Sequence, residues 1–300
     1  MRVAVIGKGG QIALSLIERA GAQPHVEAFL LGRPDLDMAR PETIWPALAS
    51  SRPDLIVSTA AYTAVDAAER EPEMAYRVNA TGAGAVAEAA NRLGVPIIHF
   101  STDYVFDGKK QGVYDETDAT APLNVYGASK LAGEIAVAAA APRHLILRTS
   151  WVYSPFGTNF VKTMLRLASA NKEIAVVADQ CGNPSSALDI AEAVLRIAAA
   201  LGEGLPYGTF HLAGTGATSW ADFARHVFAS SRAYGREWAK VRNITAAEFA
   251  ALAPRPLNTQ LSSIKFASTF GWTMPNWQHS LDGTVTRILQ DADQHVSARL

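Results

Sequence analysis

The chain has 300 residues, 49% of them hydrophobic and 18% charged, with a formal net charge of −1. That balance fits a folded protein with a sizeable core and excludes a disordered chain, a basic nucleic-acid binder and a polybasic membrane surface. The one cysteine, Cys181, has no internal partner for a disulfide, and no apolar run reaches the roughly 18 residues of a spanning helix, so the reading is a cytoplasmic protein without membrane or nucleic-acid partners.

The segment "RVAVIG" (2–7) predicts a buried strand, and its start at Arg2 leaves no room for a signal peptide. The turn "GKGGQIA" (7–13) follows, then a helix over 11–21. Glycines at such a strand–helix junction let the backbone approach a pyrophosphate held at a helix N-terminus, which singles out Gly7 and Gly10. The spacing departs from strict G-x-G-x-x-G, so position in the chain carries the inference. A second strand over 26–32 ends at Leu31 and Gly32, with no acid to hold an adenine ribose, and Arg33 comes next. Arg33 is suited to a 2′-phosphate and equally to a solvated surface position, while Asp37 and Met38 are placed to flank an adenine. The cofactor reading is NADPH, with NADH as the alternative.

"DLIVSTAA" (54–61), "PIIHFSTD" (96–103) and "HLILRTSWVY" (144–153) predict three further strands, separated by helical stretches such as 81–94. Continuous apolar strands between helices predict a doubly wound parallel sheet, an α/β Rossmann fold. The alternation loosens after Ser154. Strand patterns at 172–179 and 208–214 flank a helix over 187–202, and helices and loops dominate from Ser219. The expected division is a dinucleotide-binding domain over 1–151, rejoined by 187–215, and a smaller substrate lobe over 152–186 and 216–300.

The stretch "YGASK" (126–130) lies in a helix expected from about Asn124 to Ala141. Residues four apart share a helix face, so Tyr126 and Lys130 project together. A phenol beside an ammonium suggests a general acid whose pKa the lysine lowers, with the lysine also able to hold ribose hydroxyls. Thr102 ends the fourth strand, at the sheet edge where doubly wound folds bind ligands, and can donate a hydrogen bond to the same carbonyl oxygen.

A glycine-rich turn, a strand-end threonine and Tyr-x-x-x-Lys in that order resemble the extended short-chain dehydrogenase/reductases. Longer segments, among them "RPDLIVSTAAYTAVDAAE" (52–69), "STDYVFDG" (101–108), "ETDATAPLNVYGASKLAGE" (116–134), "DQCGNPSS" (179–186) and "RPLNTQLS" (255–262), resemble the dTDP-4-dehydrorhamnose reductase family over nearly the whole chain. The resemblance implies NAD(P)H-dependent reduction of the 4-keto group of dTDP-4-dehydro-L-rhamnose to dTDP-L-rhamnose. It implies Thr102, Tyr126 and Lys130 as the catalytic trio and Gly10, Gln11 and Ile12 as the pyrophosphate turn. Ala60, Ala61 and Tyr62 would border the cofactor, with Tyr62 standing where the family often has histidine. Asp103, Tyr104 and Trp151 would line the sugar pocket, and Arg255 and Asn258 the nucleotide end.

Some members of that family bind magnesium between subunits through glutamates. Ser15 and Leu188 occupy those positions here, so no metal is expected, and self-association, which stays open, would not use that site. A sugar-nucleotide dehydratase usually carries Asp-Glu after the threonine, whereas this chain has Asp103 and Tyr104. A 4-epimerase or another 4-reductase shares the trio, and a non-catalytic regulatory subunit resembling that of methionine adenosyltransferase is the non-enzyme alternative.

Overall fold

The computed structural model describes residues 1–297 apart from 203, 205, 233, 236 and 237. Its main sheet is built from β1 (Arg2–Ile6), β2 (Glu27–Leu31), β3 (Leu55–Ser58), β4 (Ile97–Thr102), β5 (His144–Thr149) and β7 (Gly208–His211). β6 (Glu173–Val177) lies elsewhere. The spatial order is β2-β1-β3-β4-β5-β7, and every pairing is parallel. The apolar runs of β3 and β4 are buried along their whole length, as expected when helices cover both faces.

On one face lie α1 (Gln11–Gly21) and α6 (Ala187–Ala199), which bury Leu16, Ile190 and Val194 against Val3, Val5 and Val57. On the other, α2 (Ile44–Ser51), α3 (Ala83–Leu93) and α4 (Val125–Ala140) bury Leu48, Val86 and Val137 against Ala4, Ile6 and Ile56. The chain runs from β1 outward to β2 and then crosses back to β3. The switch point therefore falls between β1 and β3, where such sheets open a crevice at their carboxyl ends.

The smaller lobe contains α5 (Phe160–Ala168), β6, α7 (Trp220–Arg232), β8 (Lys240–Ile244) and α8 (Trp277–Ser297). Its core gathers Val161, Phe223, Val227 and Leu281. The 172–179 pattern does form a strand, β6, but it pairs in parallel with β8 rather than with the main sheet. The reason is legible only in three dimensions. "KVRNI" of β8 is mostly polar outward, and only its partner makes it a strand. Trp238 is half exposed, with the Arg232 guanidinium 3.9 Å from its ring centre.

Candidate active site

The turn after β1 is shaped by Gly7. Its φ is +128°, and a Cβ there would meet Thr59 Oγ1 at 2.8 Å, so a side chain is excluded by both conformation and space. Gly10 caps α1 without a side-chain bond, which leaves N–H groups of the first helical turn free toward the crevice. Two cavities open there. One of about 700 Å³ runs past Arg33, Asp37, Met38 and Tyr62, and one of about 450 Å³ runs past Gly10, Ile12, Tyr126 and Lys130. They share Gly7, Lys8, Gly9, Ala60 and Ala61 and so form one groove along the strand ends. A free helix N-terminus and a Gly cradle suit a pyrophosphate, and a cation at the far end suits a 2′-phosphate.

Gln11 borders this groove, but its side chain ties the two lobes together. Its Nε2 donates to Val152 O at 3.2 Å, and its Oε1 accepts from Ser154 and Asn159, each at 2.9 Å. Two groups escaped the sequence reading. Lys8 reaches across the groove floor to Arg33 O at 3.1 Å and Asp35 Oδ2 at 3.3 Å. Asn79 clamps the segment after β3. Its Oδ1 accepts from Tyr62 N at 2.8 Å, and its Nδ2 donates to Tyr62 O at 3.0 Å and Ser129 Oγ at 2.9 Å. A polar residue inside "RVNATG" was the only signal for it.

Thr102, the last residue of β4, is buried at the sheet edge. Asn124 caps α4 by accepting from Gly127 N at 2.8 Å, which starts the helix one residue before Tyr126. Tyr126 therefore comes to the end of β4, with its phenol against the Thr102 hydroxyl. Lys130 follows one turn later and is almost wholly buried. Its Nζ donates to Phe100 O at 2.6 Å and lies 3.4 Å from His99 Nε2. One turn further, Glu134 accepts from Ser101 Oγ at 2.5 Å and from Arg148 Nε and Nη2 at 2.9 and 2.7 Å. This buried pair fixes α4 against β4 and β5.

The expectation that Lys130 lowers the Tyr126 pKa is reversed. Burial pushes the phenol up to about 12, opposed by the Thr102 hydroxyl and reinforced by the Asp103 charge. The lysine is drawn to a strand carbonyl and is not among the causes. Burial also brings Lys130 down to about 8, with Glu134 opposing, and holds His99 well below the usual imidazole range. At neutral pH Tyr126 thus carries its proton and Lys130 its charge.

Asp103 is 3% exposed, accepts from Thr102 Oγ1 at 2.9 Å through Oδ1, and buries Oδ2 with no hydrogen-bond partner. Burial pushes its carboxyl up to about 7 against the neighbouring Thr259 and Thr102 hydroxyls. Tyr104 sets the edge of its ring on Tyr126, with ring centres 5.9 Å apart, and burial raises its phenol strongly. Arg255 lies beside Tyr104 and donates to Asp66 Oδ2 at 2.8 Å. Trp151 sits at φ +47° with its ring stacked on Trp220, centres 3.5 Å apart, and a Cβ on Gly182 would strike it at 2.6 Å.

Asn258 lies apart from the trio in its bonding. Its amide donates to Lys110 O at 2.7 Å and Gly112 O at 2.6 Å, and its Oδ1 accepts from Gln260 N at 3.1 Å, so it clamps the 110–112 loop. Ser15 is buried without a partner for its hydroxyl. Among the described residues no group of three or more His, Cys, Asp or Glu side chains could hold a metal ion, and no helix is long and apolar enough to cross a membrane.

Residues 1–290 match the family model described as the RmlD substrate binding domain. A relative from Sinorhizobium fredii, a dTDP-4-dehydrorhamnose reductase, is 52% identical over 96% of this chain and 98% of its own length. The crystal structure of a dTDP-4-dehydrorhamnose reductase from Clostridium acetobutylicum superposes with a TM-score of 0.90 at 34% identity, covering 96% of this chain and 100% of that one. A Bacillus anthracis dTDP-4-dehydrorhamnose reductase, solved in complex with NADP, gives 0.88 at 35% identity, covering 95% and 99%.

Proposed function

The chain belongs to the RmlD substrate binding domain family, dTDP-4-dehydrorhamnose reductases of the extended short-chain dehydrogenase/reductase superfamily that use NAD(P)H, and from that premise we propose how its own residues carry the reaction. The substrate is a dTDP-sugar, and the finer reading is reduction of the 4-keto group of dTDP-4-dehydro-L-rhamnose to dTDP-L-rhamnose. Tyr126 is the general acid, Thr102 hydrogen-bonds the ketone oxygen, and Lys130 holds ribose hydroxyls while keeping a positive charge beneath the site.

The observation that carries this reading is the juxtaposition of the Thr102 hydroxyl and the Tyr126 phenol at the end of β4, which the cavity lined by Tyr126 and Lys130 reaches at Phe100 and Ser101. The nicotinamide supplies a hydride when bound. As negative charge develops on the ketone oxygen, a phenol that still holds its proton at neutral pH can give it up, because an alkoxide is the stronger base. Tyr126 is therefore in the protonated form that a general acid needs at neutral pH. Gly7, Gly10 and Ile12 would line the pyrophosphate, with Arg33, Asp37, Met38, Ala60, Ala61 and Tyr62 along the adenosine end. Asp103, Tyr104, Trp151 and Arg255 would face the sugar nucleotide, and Asn258 would act by shaping the neighbouring loop.

The test is to mix purified protein, NADPH and the dTDP-4-keto-6-deoxy sugar, following absorbance and product identity together. Net NADPH oxidation with formation of the 4-hydroxy sugar is expected. An epimerase would show no net oxidation, and a binding subunit would form no product. Tyr126→Phe keeps the ring and deletes the acid, so kcat should fall by about 10²–10⁴-fold, with NADPH affinity nearly unchanged. Lys130→Met should damage both. A Tyr126→Phe protein turning over near the wild-type rate would mean that the proton comes from another group.

A further inference from the structure

We propose that Asp103 sets the direction of the Thr102 hydroxyl proton, so that only the protonated acid form of Asp103 leaves Thr102 free to donate to the ketone oxygen. The proposal rests on the roles of Thr102 and Tyr126 argued above.

A threonine hydroxyl has one proton and two acceptor lone pairs. Thr102 directs that proton to Asp103 Oδ1 at 2.9 Å, and its oxygen accepts the Tyr104 N–H at 3.2 Å. In this arrangement Thr102 can accept from the Tyr126 phenol but has no proton for the substrate. When the carboxyl gains a proton, the roles exchange. The acid O–H donates to Thr102 Oγ1, and the threonine proton is released toward the crevice. The step moves no bond between heavy atoms. It turns one hydroxyl.

The surroundings make the protonated form accessible. Asp103 is buried, and its Oδ2 has no hydrogen-bond partner. The groups that face it are Thr102 and Tyr104 from its own turn, Tyr126 from α4, and Thr259 from the segment that also carries Arg255. The nearby cations are engaged elsewhere: Arg255 with Asp66 at 2.8 Å and Lys130 with Phe100 O at 2.6 Å. Among the described residues no ion pair neutralises Asp103. An unpaired buried carboxylate is costly, and the group takes up a proton near pH 7 instead.

Asp103 is thereby a positioning residue acting through Thr102, and a pH profile separates this role from a structural one. With NADPH saturating, kcat/KM is measured between pH 5.5 and 9 for the wild type, Asp103→Asn, Thr102→Val and the double variant. The wild type should lose activity as pH rises through about 7, approaching tenfold per pH unit until it nears the level of Thr102→Val. Asp103→Asn cannot titrate and should lack this limb, keeping only the later fall from Lys130 near pH 8. Thr102→Val should lack it as well, and Asp103→Asn should add no pH dependence to Thr102→Val. An Asp103→Asn enzyme with the wild-type limb, or with a rate lowered equally at every pH, overturns the proposal. If that variant does not fold, a Thr102→Val enzyme that keeps the limb overturns it equally. Full turnover by Tyr126→Phe would overturn the acid role of Tyr126 instead, so the two failures are distinguishable.

Discussion

A single cation can decide which nicotinamide dinucleotide a groove of this kind prefers. β2 ends at Leu31 with Gly32 buried after it, so the strand end itself carries no carboxylate for a ribose 2′-hydroxyl, and Asp37 lies further along the groove wall. Arg33 is exposed on the groove wall, and Lys8 crosses beneath it. NADPH should bind more tightly than NADH by about 1–2 kcal/mol for one charge-assisted contact. The gap should narrow in high salt, because the cations are exposed. Fluorescence titration of both cofactors checks this. Arg33→Ala should remove most of the preference and Lys8→Gln part of it, and an unchanged ratio in both would exclude a charge-based preference. At this scale the shared face of Tyr126 and Lys130 was legible from helix periodicity. The sign of the Tyr126 pKa was not, because it depends on burial and on the strand carbonyl that draws Lys130 aside.

The helix that carries Tyr126 is positioned by what its glycines leave out. A Cβ on Gly127 would lie 2.2 Å from Tyr104 O, and one on Gly133 would lie 2.1 Å from Asn79 O. Both contacts are with backbone, so the helix itself must move if either glycine is filled. Each substitution to alanine should cost about 1–3 kcal/mol, the usual range for overpacking. Their functional effects should differ. Gly127→Ala pushes the first turn of α4 away from the 103–105 turn, separating Tyr126 from Thr102, and should lower kcat more than NADPH affinity. Gly133→Ala acts two turns later and should mainly lower the melting temperature. Thermal unfolding and steady-state kinetics on both variants check this, and equal kcat losses would mean that α4 moves as a rigid rod. α4 was readable from about Asn124 to Ala141, close to its bounds Val125–Ala140. β8 was not, since its residues alternate without a strong apolar face and gain strand structure only beside β6.

Across the whole molecule, several ionisable groups are held in their neutral-favouring environments, and each leaves a mark on stability. The sheet edge was foreseeable from five apolar strands. The side chains crossing between lobes, Gln11 to Ser154 and Asn159 and Arg255 to Asp66, were not, because they join residues far apart in sequence. Asp103 gives the cleanest signal. Its carboxyl rises from 3.8 to about 7 on folding, so the folded state binds the proton more tightly than the unfolded chain does. Stability from this group is fully present below pH 3.8, is lost as pH rises through about 7, and is constant above. The rise corresponds to a few kcal/mol, on the order of 4. His211 runs the other way. Burial and the Arg148 charge bring it to about 3, so the unfolded chain gains the proton first, and its contribution is lost as pH falls from 6.5 toward 3. His99 has the same direction. The wild-type profile mixes these opposing slopes, but Asp103→Asn removes one of them. The melting-temperature difference between that variant and the wild type should therefore grow in the variant's favour from pH 4 to pH 8 and level off beyond. At roughly 2–4 °C per kcal/mol for a chain of this order of size, the change across the range should be several degrees. Scanning calorimetry at pH 4.5, 6 and 8 measures it. A difference that stays constant with pH would mean that Asp103 keeps its charge in the folded protein, contrary to its burial without a cation.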